Sequence, residues 1–141
     1  PLICDNENLR ACSELLQNVQ MKTGDYSKCK DFIDNETFVY LDPPYRPLTQ
    51  TAAFTSYSEN QFSEKDQIEL GKFITEISTK GAKVLASNSD PKNANKEDNF
   101  FDELYSNFSI ERIRASRMIN SNAKKRGAIS ELLISNIASV F

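Results

Sequence analysis

The sequence predicts an open α/β sheet, and three observations carry that expectation. Two short apolar runs, at residues 38–41 and 83–87, read as strands. Residues 64–80 between them have the periodicity of a helix, and two more strand-like runs follow at 108–115 and 129–135. Strand, helix, strand, helix, strand is the pattern of a sheet with crossover connections, whose ligand crevice lies at the carboxyl ends of the strands.

Taken in order, residues 8–17 read as a short helix with Leu9, Cys12, Leu15 and Leu16 on one side. A candidate strand at 19–23 runs into Gly24-Asp25-Tyr26. Phe38-Val39-Tyr40-Leu41 has the continuous apolar character of a strand buried on both faces, and Asp42-Pro43-Pro44 stops it, because proline cannot donate to a ladder. The 64–80 helix opens on Ser63 as N-cap with Asp66 three residues on, carries Ile68, Phe73, Ile74 and Ile77 as its apolar face, and stops at Gly81. Residues 83–87 read as a second buried strand, and 99–106 as a helix presenting Phe100, Phe101, Leu104 and Tyr105. The runs 108–115 and 129–135 flank a basic loop and suit an antiparallel pair. Asp25, Asp42 and Asn88 each follow a predicted strand, so all three are candidates to line one crevice.

A length of 141 residues suits one compact domain, with no internal repeat or linker to divide it. No stretch approaches the roughly 20 apolar residues needed to span a bilayer, and the N-terminus has no leader pattern, so a cytoplasmic protein without membrane contact is expected. Cys4, Cys12 and Cys29 are odd in number and show no C-x-x-C spacing, which points to free thiols. The absence of histidine excludes Ser-His and Cys-His catalysis and the commonest metal ligand, leaving carboxylates, hydroxyls, amides and backbone groups. The net charge of −3 is unevenly spread: Arg112, Arg114, Arg117, Lys124, Lys125 and Arg126 cluster between Glu111 and Gly127. That is the footprint of a nucleic-acid-facing edge on an acidic body, or of a solvated hairpin.

The segment that carries chemistry is Leu41-Asp42-Pro43-Pro44-Tyr45. A carboxylate accepting one hydrogen of an amine conjugated to a ring, with a carbonyl accepting the other, favours tetrahedral nitrogen and stabilises the positive charge that grows on it during attack. Asp42 supplies the carboxylate. The proline pair leaves carbonyls unclaimed by local N–H groups, which makes the Pro43 carbonyl the natural second acceptor. Tyr45 offers an aromatic face for stacking, worth on the order of 1–3 kcal/mol per base. The competing structural reading is a strand-ending turn in which Asp42 caps the next segment and Tyr45 packs.

Beyond these residues the sequence resembles the DNA adenine-N6 methyltransferases of the Dam type. The resemblance rests on Thr23-Gly24-Asp25-Tyr26, on Tyr40-Leu41-Asp42-Pro43-Pro44-Tyr45-Arg46-Pro47-Leu48, and on Thr51-Ala52-Ala53-Phe54-Thr55-Ser56-Tyr57. It continues through Val84-Leu85-Ala86-Ser87-Asn88 and Asn120-Ser121-Asn122 to Glu131-Leu132-Leu133-Ile134. What it implies is methyl transfer from S-adenosylmethionine to N6 of a flipped adenine in double-stranded DNA, in a restriction-modification or Dam-like setting. It also implies no metal, a monomeric enzyme of a prokaryotic cytoplasm, and a Rossmann-like class I methyltransferase sheet of seven strands, one of them antiparallel near the edge. By position, Asp42, Pro43, Pro44 and Tyr45 match the catalytic turn, with Asp42 also near the donor's amino-acid end. Asp25 and Tyr26 match the strand end that meets the donor's adenine. Phe54, Thr55 and Tyr57 match a loop over the flipped base or the adjoining DNA, or ordinary packing under a loop. Asn120, Ser121, Lys124, Lys125 and Arg126 match a loop that holds the phosphate backbone, which positions a duplex without reading it.

The four glycines, Gly24, Gly71, Gly81 and Gly127, form no G-x-G, so the family's Gly-rich donor loop is not in these residues. Nor are the acid expected for the donor ribose or the target-recognition insertion. The start at Pro1 in mid-domain character adds to the expectation that residues 1–141 are the C-terminal part of the catalytic domain, with a partial sheet, and inactive by themselves. Two alternatives stand beside that reading: a non-catalytic DNA-binding remnant, and N6-adenine methylation of RNA.

Overall fold

The structure is a computed structural model that describes residues 4–48, 62–116 and 128–137. Within them a four-stranded mixed sheet carries helices, in the order α1 (Asn6–Leu16), β1 (Phe38–Leu41), α2 (Glu64–Thr79), β2 (Lys83–Ser89), α3 (Phe100–Leu104), β3 (Ser109–Ser116) and β4 (Ala128–Ser135). Their lateral order is β1-β2-β4-β3. The strands β1 and β2 pair in parallel through Val39 with Val84 and Leu41 with Ala86, and α2 is the crossover between them, as the sequence predicts. The β4 strand inserts between β2 and β3 antiparallel to both, so the expected C-terminal antiparallel pair is present.

The capping signals behind α2 are realised at both ends. Ser63 accepts from the Asp66 N–H while the Asp66 carboxylate accepts from the Ser63 N–H, closing a capping box. At the other end Gly81 takes φ +93°, and the bonds Gly81 N–H to Ser78 carbonyl and Ala82 N–H to Ile77 carbonyl form a Schellman motif that hands the chain to β2. On the inner face of α2, Leu70, Phe73, Ile74 and Ile77 cover Val84, Ala86, Leu132 and Ile134, with Phe101 and Tyr105 of the α3 segment completing the core. Each such side chain, fully buried, contributes about 1.5–3 kcal/mol. Gly71 allows α3 to approach: a Cβ there would lie 2.9 Å from Leu104 Cδ1.

Several expectations do not hold. Residues 19–23 form no strand; Val19 only extends the turn of α1, and a lone extended segment without a ladder partner satisfies none of its backbone groups. A short 3-10 helix, Tyr26–Phe32, follows instead, capped by Asp25. The β1 strand is not buried on both faces: Val39 and Leu41 lie towards the core, whereas Phe38 and Tyr40 are exposed, because α2 covers one side only. Ile68 is exposed too, and the core face of α2 runs through Gln67 and Leu70 instead. The 99–106 helix shortens to α3, whereas the second strand lengthens to Ser89. The apolar side of α1 buries nothing: Leu9, Leu15 and Leu16 all face solvent. Of the seven strands that the resemblance implies, the described residues contain four.

Candidate active site

Asp42-Pro43-Pro44-Tyr45-Arg46 leaves the carboxyl end of β1 with two residues that have no N–H to donate, so the turn must be fixed from outside itself. The fixing groups come from α2 and from the last residues of β2. Gln67, wholly buried, donates its Nε2 to the Pro44 carbonyl at 3.0 Å. Asn88, also buried, donates Nδ2 to Gln67 Oε1 at 3.1 Å, and its Oδ1 accepts from the N–H of Arg46 at 3.0 Å and of Ser89 at 2.9 Å. Ser89 Oγ donates to the Arg46 carbonyl at 2.7 Å. The Arg46 guanidinium then crosses to Asp98 at 2.7 Å and to Glu64, lying over the Phe100 ring. Every polar atom of this buried network finds a partner, the condition under which such a network stiffens a site instead of weakening it.

Asp42 is left in a different state. Its side chain is exposed, and Oδ1 accepts from Ser87 Oγ at 2.9 Å. Among the described residues nothing donates to its second oxygen or to the Pro43 carbonyl. Tyr45 is half-buried beside them; burial pushes its phenol up, a bond with Ser87 only partly opposing that, so it stays neutral. The turn therefore offers a carboxylate oxygen and an adjacent carbonyl, both unclaimed, beside an aromatic ring. Two acceptors of this kind suit an –NH2 group.

The remaining sequence-predicted residues divide. Asp25 is exposed, follows no strand, and accepts from the Ser27 N–H at 2.9 Å; its bonds with Ser27 hold the carboxyl below its ordinary range. Tyr26 lies edge-on to Phe73, with ring centroids 5.1 Å apart, which accounts for it by packing. Asn88 lies inside β2 and turns towards Gln67, so it braces the turn from beneath and does not line an open crevice. Phe54, Thr55, Tyr57, Asn120, Ser121, Lys124, Lys125 and Arg126 lie outside the described residues.

Sequence reasoning passed over Gln67, Ser87, Ser89 and Arg46 as site residues. A signal existed for the first: Gln67 stands in phase with Leu70, Ile74 and Ile77 on the core side of α2, where a polar side chain needs a buried partner. The run Ser87-Asn88-Ser89 at the end of an apolar strand is a second.

A second polar cluster follows β2. Asp90, buried, accepts from the Lys92 N–H at 3.1 Å, from Ser130 Oγ at 2.6 Å and from Arg112 Nε at 3.2 Å. Asn93 exchanges hydrogen bonds with the Ser130 backbone, and Arg112 donates Nη2 to both carboxylate oxygens of Asp102. These bonds tie the 3-10 turn Pro91–Asn93 to the base of β4 and to β3.

Comparison with known proteins gives a consistent picture. The D12 class N6 adenine-specific DNA methyltransferase family model matches residues 2–119. The chain is 44% identical over 137 residues to the Type II methyltransferase M.MjaIII of Methanocaldococcus jannaschii, covering 96% of this chain and 45% of that protein. It is 37% identical over 138 residues to the Type II methyltransferase M1.LlaDCHI of Lactococcus lactis subsp. cremoris, covering 96% and 46%. Against a DNA adenine methylase of Haemophilus influenzae it is 31% identical over 128 residues, covering 90% and 42%. The chain thus spans less than half the length of each of these relatives.

Proposed function

Because the chain belongs to the D12 class family of N6 adenine-specific DNA methyltransferases, we propose that Asp42, Pro43, Pro44 and Tyr45 form the turn that activates an adenine N6 amine for methylation in double-stranded DNA. The observation that carries this reading is a pair of acceptors that no described residue claims, the second Asp42 oxygen and the Pro43 carbonyl, on a turn whose next carbonyl is already taken by Gln67. Each accepts one hydrogen of the amine, drawing the nitrogen lone pair out of conjugation. The donor, when bound, would supply the methyl group and leave as a neutral thioether. The Asp42 carboxylate stabilises the positive charge that grows on N6 and, being exposed, can take the surplus N6 proton and pass it to solvent. Tyr45 stacks on the extruded base, and its neutral phenol adds no competing charge.

The methyl donor that family membership implies is S-adenosylmethionine, which supplies an electrophilic methyl group when bound. These residues suit it in part. Asp42 is an exposed acceptor for its amino-acid end, and Asp25 and Tyr26 are the candidates for its adenine, although the Asp25 carboxylate already caps the helix that follows it. No glycine pair in the sequence can form the donor's G-x-G loop. In the same reading, Phe54, Thr55 and Tyr57 border the flipped base, and Asn120, Ser121, Lys124, Lys125 and Arg126 hold the phosphates of the duplex. The four described strands are taken as one half of a class I methyltransferase sheet, with β4 as its antiparallel member. Residues 1–141 then correspond to the C-terminal part of the catalytic domain of a monomeric enzyme acting in restriction-modification or in Dam-like methylation.

The test is Asp42→Asn in the intact protein, which keeps shape but loses the charge and presents a donor where an acceptor is needed. Single-turnover methylation of an adenine-containing duplex should fall by about a hundredfold or more, with DNA affinity and melting temperature unchanged. A near-normal single-turnover rate would return the turn to a structural role.

A further inference from the structure

We propose that Gln67 is a positioning residue of this active site. By donating to the Pro44 carbonyl from inside the core, it holds the turn in the one arrangement that leaves the Pro43 carbonyl available to the target amine. The inference rests on the reading of residues 42–45 as the catalytic turn.

Three observations lead to it. First, Gln67 is wholly buried on the apolar side of α2, in phase with Leu70, Ile74 and Ile77, where a leucine would gain burial and need no partner. An amide is tolerated there only with its hydrogen bonds made. Second, its orientation is dictated by groups of unambiguous chemistry. The N–H groups of Arg46 and Ser89 can only donate, so the atom of Asn88 that meets both is Oδ1. The Nδ2 of Asn88 must then face Gln67, which presents Oε1 to it and has only Nε2 left for the Pro44 carbonyl. A donor at that point follows from the backbone, not from a chosen amide rotamer. Third, neither proline can anchor the turn by its own N–H, so Gln67 and the Asn88 bond to Arg46 are the side-chain anchors on its backbone N–H and carbonyl groups, with Ser89 securing the Arg46 carbonyl. Without Gln67 the Pro44 carbonyl loses its partner and can compete with the Pro43 carbonyl for the same amine.

The experiment compares Gln67→Glu and Gln67→Leu with the unaltered intact protein in single-turnover methylation between about pH 6 and pH 8.5, well below every melting temperature. A buried carboxyl at this position has its pKa raised. When protonated it accepts from Asn88 and donates to Pro44 as the amide does; when ionised it can only accept. The charged groups around position 67 are the Arg46 guanidinium, Glu64 and Asp66 on α2, Asp98 behind Arg46, and Asp42 beyond Ser87, and Gln67→Leu, which keeps them all and adds no charge, is the reference for any pH dependence they bring. The expected result is a Gln67→Leu rate at least tenfold below the unaltered protein at every pH. The Gln67→Glu rate should approach that of the unaltered protein at low pH and fall by tenfold or more as pH rises, with DNA affinity within twofold throughout. Two outcomes overturn the proposal: a Gln67→Leu rate within twofold of the unaltered protein, or a Gln67→Glu ratio that rises with pH. If the unaltered protein transfers no methyl group to adenine, or Asp42→Asn transfers it normally, the reading of the turn itself has failed and this proposal with it. An inactive Asp42→Asn beside a fully active Gln67→Leu removes the positioning role alone.

Discussion

Asp42 and Asp90 occupy equivalent places in the sheet and are used in opposite ways. Each directly follows one of two adjacent parallel strands, and each precedes a proline. Asp42 is exposed and, among the described residues, receives one hydrogen bond, from Ser87. Asp90 is 1% exposed, and both of its oxygens are taken, by the Lys92 N–H, Ser130 and Arg112. The same residue in the same topological position is thus left open to a ligand in one case and made a rivet in the other. What separates them is the number of lone pairs the protein leaves unspent. A saturated buried carboxylate contributes to stability and has nothing to offer a substrate, whereas an exposed one with a spare oxygen contributes little to stability and can do chemistry.

The largest effect that tests this contrast is on stability. Asp90→Ala removes the shorter of the two bonds that Ser130 Oγ donates, leaving only Asn93 Oδ1, and takes away the buried partner of Arg112 and of the Lys92 N–H; it should lower the free energy of unfolding by about 2–4 kcal/mol in urea titration. Asp42→Ala should change it by less than about 0.5 kcal/mol. Equal losses at the two positions would erase the distinction. The hydroxyls that serve the two carboxylates sharpen it. Ser87→Ala should slow single-turnover methylation about tenfold through a misplaced Asp42, at a stability cost near 1 kcal/mol or below. Ser130→Ala should lose about 1 kcal/mol of stability with no change in rate. The reverse pattern would exchange the roles.

The smallest effect is on acid stability. Burial pushes the Asp102 carboxyl up, but its hydrogen bonds to Arg112 and Lys92 outweigh burial and hold it below the ordinary value. A carboxyl lowered in the folded state binds protons less readily there than in the unfolded chain. Its contribution is therefore present in full above the unfolded value, about pH 4, and is lost as pH falls through the folded value below it. Arg112→Met should weaken that protection, with Lys92 alone left on Asp102, and so move the acid unfolding midpoint upward while leaving the neutral-pH methylation rate alone. An unchanged midpoint would detach the Arg112 cluster from acid stability.

Much of this was legible before any coordinates. The β1-α2-β2 unit and the β3-β4 pair followed from periodicity and from caps such as Ser63 and Gly81, which act within a few residues of where they are written. The turn at residues 42–46 was legible for the same reason: two prolines after an apolar run stop a strand and supply no N–H of their own wherever they occur. Residues 19–23 and the two-sided burial of β1 were misread because a strand is defined by its neighbours, and pattern alone does not supply them.

The sequence by itself therefore determined the local elements and the chemical identity of the turn, since propensity, capping and the missing proline N–H are properties of short segments. Only the tertiary structure decided which atoms of that turn remain free. That choice depends on Gln67, Ser87 and Asn88, which lie 23 to 45 residues away along the chain from their partners in the turn and meet it only because α2 and β2 pack beside β1. A hydrogen-bond acceptor is available or spent according to the groups that surround it, and those are fixed by folding.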